Sequence, residues 1–98
     1  MPKQIRWSLL SELDFSNILE YLEIEWGKAV VNKYIDRMED SLNQIRNNPR
    51  QYPLINKKKK IRKCVITKHN SLYYRTNKDY IDLLRIYSNF KDPKKLKL

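Results

Sequence analysis

Arg62, Lys63, Arg75 and Arg85 are spread through the second half of this 98-residue chain, with Tyr73, Tyr74, Tyr80 and Tyr87 interleaved among them. Guanidinium forks bind phosphates through paired N–H donors, while tyrosines stack on bases or donate hydrogen bonds. Lys57, Lys58, Lys59 and Lys60 precede this set, and Lys91, Lys94 and Lys95 follow it. The chemistry such residues support is recognition of an anion, with a polyphosphate backbone as the natural example. The same residues also permit a plainer arrangement. In it the tyrosines pack in a core or along an edge, and the arginines pair with Asp79 and Asp82. The residues alone leave both open.

Other chemistry is less well supplied. His69 could move a proton near neutral pH, but beside Lys68 and Asn70 it reads as an exposed turn residue. Cys64 lies in an apolar run and reads as a small buried side chain. No closely spaced His, Cys, Asp and Glu set suggests a metal. A single glycine excludes a glycine-rich phosphate loop, and nothing calls for a cofactor.

Charge points the same way as the basic set. The chain carries 21 basic and 11 acidic residues, a net +10. Residues 1–48 hold six basic and eight acidic side chains, residues 49–98 fifteen and three, so the excess lies wholly in the second half. That asymmetry favours an anionic partner. A lone cysteine suits a reducing compartment, and no run approaches the ~18 apolar residues of a membrane span. A cytoplasmic protein with no membrane partner is the expectation.

The elements that must position these residues follow from periodicity. Gln4–Ser8 alternates as a short strand. Ser11 and Asp14 resemble a capping box that opens a helix. Phe15, Ile18, Leu19, Leu22 and Trp26 form its apolar stripe. Gly27 suits a helix end, and Val31, Tyr34, Ile35, Met38, Leu42 and Ile45 mark a second helix, stopped by Asn47-Asn48-Pro49. Residues 50–60 read as a loop. Strands follow at about 61–67, 72–76 and 80–88, separated by turns at Lys68-His69-Asn70 and Asn77-Lys78-Asp79. One α+β domain over residues 1–98 is expected, β-α-α-β-β-β. Two antiparallel helices would cover one face of an antiparallel sheet and leave the other face available for binding.

That order, with "QIRWS" at the start, "NNPRQYP" after the second helix, "LYYR" in the central strand and "IDLLRIYSNFKDPKKL" at the end, resembles the RelE/ParE superfamily. The similarity runs over nearly the whole chain. Its members are toxins of bacterial type II toxin–antitoxin modules, also known as plasmid stabilisation proteins. The resemblance implies growth inhibition that a cognate antitoxin relieves. That antitoxin is expected to be acidic or amphipathic and to cover the basic second half.

Two modes of action are implied. RelE-like relatives cleave mRNA in the ribosome, by 2′-hydroxyl attack that needs a proton acceptor, a proton donor and cations. ParE-like relatives poison DNA gyrase. In the ribonuclease pattern an Arg stands three residues before the central-strand Tyr, and another three residues before the closing Pro. Counting from Tyr74 and Pro93, these positions are Ser71 and Phe90 here. The expectation is therefore a ParE-like or other non-ribonuclease toxin. Were it a ribonuclease, Arg62, Arg75 and Lys91 would bind phosphate and Tyr87 would serve as acid/base. Target binding is assigned to Lys57, Lys58, Lys59, Lys60, Arg62, Arg75, Arg85, Lys91, Lys94 and Lys95. A non-toxic nucleic-acid-binding module and an inactive family remnant are the remaining alternatives.

Overall fold

Among the described residues, five strands and two helices run in the order β1 (Gln4–Trp7), α1 (Leu9–Trp26), α2 (Lys28–Asn47), β2 (Leu54–Asn56), β3 (Ile61–Val65), β4 (Asn70–Thr76) and β5 (Tyr80–Ser88). A 3-10 turn at Pro93–Lys95 follows. The computed structural model describes residues 3–98; Met1 and Pro2, which the expected domain includes, lie outside them. Among the described residues no helix is long and apolar enough to cross a membrane.

The first helix starts earlier than its capping pattern suggests. Ser8 is the N-cap, and its Oγ accepts the Ser11 N–H at 3.0 Å. Ser11 is fully buried and donates its own hydroxyl to the Ser8 carbonyl at 2.8 Å. Asp14 is thereby released from the helix start and used elsewhere. Gly27 ends α1 with φ +89°, its N–H reaching the Leu22 and Glu23 carbonyls, and α2 begins at the next residue. Only glycine enters that region without a Cβ penalty, so one residue suffices to reverse the chain.

The sheet has the order β1-β5-β4-β3-β2. It is mixed: β1 runs parallel to β5, and the other pairings are antiparallel. Residues 50–60, which read as loop in the sequence, contain the strand β2. It is three residues long and exposed at Leu54 and Ile55, so it carries no buried alternation for a pattern to reveal. Helix side chains Tyr34, Met38, Leu42 and Ile45 pack on Cys64, Ile66, Leu72, Tyr74, Ile81, Leu83 and Ile86. Burial of each such large apolar side chain contributes about 1.5–3 kcal/mol. From α1, Phe15, Ile18, Leu19 and Leu22 pack against this core. Trp26, assigned to the same stripe, is 68% exposed, because it lies at the last turn before the chain reverses.

A bulge in β5 decides which side chains reach the far face. Tyr74 pairs with Leu83 and Tyr73 with Arg85, so Leu84 is an extra residue between them. The extra residue breaks the two-residue period. Leu83 and Ile86 both enter the core, while Arg85 and Tyr87 stand opposite Tyr73 and Ser71.

The face away from the helices is not left wholly open. Tyr73 and Ile61 lie outside the helix-side core, yet they are only 3% and 1% exposed. Tyr73 shares a cleft with Ile55, Pro93, Leu96 and Leu98, so the segment after the 3-10 turn folds across this face. Lys59 Nζ donates to the Leu98 carbonyl and fastens the segment to the β2–β3 hairpin.

Candidate functional surface

Lys63 on β3 and Tyr73 on β4 are register partners on the face turned away from the helices. The Lys63 ammonium lies 6.0 Å from the Tyr73 ring centroid, within cation–π range. Next along the sheet, Tyr87 has the Lys91 ammonium 5.9 Å from its ring, and its hydroxyl donates to the Asp92 carbonyl at 3.3 Å. Burial, and secondarily the neighbouring Tyr87, push the Tyr73 hydroxyl above the usual phenol range, so it is a neutral donor at physiological pH. Around Tyr73 the chain leaves a cleft of about 640 Å³ whose cations are Lys59, Lys63, Lys94 and Lys97. None of the described residues that line it has an acidic side chain. Such a lining suits an anion and offers hydrogen-bond donors, and its described residues supply no carboxylate or imidazole side chain to accept a proton.

One end of this face is built from neutral groups. Ser71, fully buried, donates its hydroxyl to Asn89 Oδ1 at 2.6 Å. The Asn89 amide donates to the Thr67 and Lys68 carbonyls at 3.1 Å, and the Asn89 N–H reaches the His69 carbonyl at 2.8 Å. Phe90 is 74% exposed, with its ring edge-on to His69 at 5.6 Å between centroids. The two positions where the ribonuclease pattern calls for arginine are thus a buried hydroxyl in a closed network and an aromatic ring.

The arginines expected on this surface are dispersed. Arg62 and Lys63 are neighbours in one strand and project to opposite faces. Arg62 Nη1 donates to the Tyr52 and Arg50 carbonyls at 2.7 and 3.2 Å and anchors the segment after α2. Arg85 is held by Asp14 of α1, with Nε–Oδ2 at 2.7 Å and Nη2–Oδ1 at 3.1 Å. Those bonds raise its pKa further, against the opposing effect of burial. Asp82, the expected partner for an arginine of the set, instead takes Arg6 at 2.6 Å. Arg75 is exposed on β4 opposite Ile61 and Asp82. The tetralysine forms an ordered turn in which Asn56 Oδ1 accepts the Lys59 N–H at 2.9 Å. Lys94 and Lys95 sit in the 3-10 turn, capped by the Asp92 carboxylate. The structure therefore brings Lys59, Lys63 and Lys94 to Tyr73, and Lys91 to Tyr87, and leaves Arg62 and Arg85 apart.

A second surface was not anticipated. Leu10, Leu13, Tyr21 and Ile24 of α1 are 51%, 54%, 60% and 73% exposed. Their spacing puts them on one helical face, opposite Phe15, Ile18, Leu19 and Leu22. The helix is apolar on two sides, and only one is covered. The signal was present in the sequence, at offsets 0, 3, 11 and 14 from Leu10.

A family model described as the ParE toxin of the type II toxin–antitoxin system, parDE, matches residues 5–92. Among solved structures, a chain of the chromosomal ParDE system from P. aeruginosa superposes with a TM-score of 0.74 at 15% identity, covering 88% of this chain and 95% of that one. A YoeB/ParE toxin from Agrobacterium tumefaciens gives 0.64 at 14% identity, covering 89% and 99%. A mutant toxin from Helicobacter pylori gives 0.58 at 23% identity, covering 91% and 96%. No curated protein sequence matches.

Proposed function

The chain belongs to the ParE toxin family of type II toxin–antitoxin systems, and on that premise we propose that it arrests growth by binding its target rather than by cutting RNA. The observation that carries this reading is the Ser71–Asn89 pair. Phosphoryl transfer needs oriented cations and a proton acceptor about the reacting phosphate. At the corresponding end of the sheet this chain has a buried, neutral, internally satisfied network instead. DNA gyrase is the target this reading favours. Controlled induction with two readouts tests it. DNA damage and altered supercoiling with translation intact are expected; rapid translation arrest with cleaved mRNA would overturn it.

The antitoxin is assigned two contacts on this chain. An amphipathic helix suits the exposed apolar face of α1, since a patch of this kind marks a protein interface. An acidic segment suits the lysines around Tyr73. Arg85 takes no part in target recognition in this scheme, because Asp14 already occupies it.

A further inference from the structure

We propose that a second cleft, beside the β2–β3 hairpin, binds the phosphodiester backbone of duplex nucleic acid. The cleft is about 500 Å³ and shares no lining residue with the one around Tyr73. Six cationic side chains line it: Lys3, Arg50, Lys57, Lys60, Arg62 and Lys78. Among the described lining residues there is no carboxylate, and the other polar groups are Thr76 and Asn77. Like charges crowded without a counter-charge raise the local potential and favour an anion that bridges them.

Two features show that these cations are placed rather than merely exposed. Arg62 is fixed through one guanidinium nitrogen by the Arg50 and Tyr52 carbonyls, so it is already oriented where it lines the cleft. Lys60 has φ +59°, a left-handed conformation that glycine or asparagine adopts more readily than lysine. The hairpin thus keeps a lysine where its backbone would prefer glycine. The same turn divides the tetralysine: Lys57 and Lys60 line this cleft, while Lys59 lines the other.

The lining also selects among polyanions. Among the described residues that line the cleft there is no aromatic ring, and Leu54 is the one large apolar side chain. Single strands are held largely by stacking on aromatic platforms, which are missing here. An acidic protein segment gains most of its affinity from apolar anchors in pockets, also missing. Duplex backbone needs only positioned cations and hydrogen-bond donors. Binding here is expected to be independent of base sequence and holds whatever the toxin's protein target.

Fluorescence anisotropy of the full chain with a labelled mixed-sequence duplex tests the site, beside a single strand of equal length and a polyglutamate peptide. Each lysine that neutralises a phosphate contributes about 0.9 to the slope of log K against log salt. Lys57→Gln, Lys60→Gly and Lys78→Gln should each lower that slope by about this amount, and the triple variant by about 2.7. Lys60→Gly is the sharpest variant, because it should weaken binding while leaving thermal stability equal or higher. Lys28→Gln with Lys33→Gln, on α2, should change nothing. The proposal is overturned if the three variants bind duplex with the wild-type slope. It is equally overturned if the triple variant loses more affinity for the single strand or polyglutamate than for the duplex, or if no duplex binding is seen at about 50 mM salt.

Discussion

Asp14 and Arg85 lock the start of α1 to the last strand of the sheet. The carboxylate receives Nε and Nη2 of Arg85 at 2.7 and 3.1 Å, and Oδ2 also accepts the Ile86 N–H at 3.0 Å. With Ser8 N–H on the Leu83 carbonyl and Ser8 Oγ on the Leu84 carbonyl, these bonds occupy β5 where β1 has ended. Asp14→Ala should therefore cost about 2–3 kcal/mol, since it strands a partly buried guanidinium and a backbone donor together. Urea denaturation is the measurement, with an unchanged m-value. Arg85→Met should cost less, because its removal leaves Asp14 with the Ile86 N–H.

Gly27→Ala isolates a backbone effect. A Cβ there meets nothing within 4 Å, so the space is free. The positive φ is not free, and a loss of about 1–2 kcal/mol is expected from strain alone. A thermal melt well below wild type, with far-UV circular dichroism unchanged, is the expected result.

Alkaline pH should destabilise the fold through its buried phenols. Burial pushes Tyr52 up to about 12 and holds Tyr34 and Tyr74 above the usual range as well. Above pH 10, near the ordinary phenol value, the unfolded chain loses these protons while the folded chain keeps them. The unfolded state then binds fewer protons, so stability is fully present below pH 10 and falls as pH rises beyond it. Tyr74 donates to the Pro49 carbonyl at 2.7 Å, so Tyr74→Phe should cost about 1 kcal/mol at neutral pH. The variant should also show a shallower alkaline decline, by up to one proton. Urea melts at pH 9, 10 and 11 separate the two effects.

Tyr87→Phe distinguishes the modes of toxicity. Among the described residues the Tyr87 hydroxyl bonds only the Asp92 carbonyl, at 3.3 Å, a weak contact whose loss the fold will tolerate. Induction of this variant should arrest growth as wild type does. A rescue of growth by orders of magnitude in viable count would assign Tyr87 an acid/base role and return the chain to the ribonuclease mode.

Leu13→Glu and Ile24→Glu probe the uncovered side of α1. Both side chains are already exposed, so stability should change by less than about 0.5 kcal/mol. If the antitoxin covers them, each loses about 1.5–3 kcal/mol of apolar burial, or roughly 10- to 100-fold in affinity. Co-expression with the antitoxin should then fail to restore growth, while toxicity of the variant alone persists.

Local patterns carried the helices and the three-strand meander. Tyr34, Met38, Leu42 and Ile45 are spaced to one side of a helix, and nothing else competes for that reading. The resemblance carried the family. What escaped was non-local. Whether Arg62 or Lys63 faces the helices depends on a register that neighbouring strands decide. The partner of Arg85 lies 71 residues away. The apolar residues of α1 contain two stripes, and the core-facing one, once found, concealed the other. The covering of Tyr73 is set by the three lysines and two leucines after Pro93, a run too short for any period to betray its path.

Leu84 acts on this strand as an inserted letter acts on a reading frame. Before it, the odd-numbered Ile81 and Leu83 belong to the interior; after it, the even-numbered Ile86 does. Removing that one residue would leave Arg85 and Tyr87 outside and Ile86 inside in plain alternation; keeping it while straightening the bulge would send Arg85 and Tyr87 inward and turn Ile86 out. The identity of the exposed surface is thus encoded partly in the bulge that absorbs Leu84. Relatives aligned across this strand need a gap or a match at Leu84 before their arginines and tyrosines can be compared position by position.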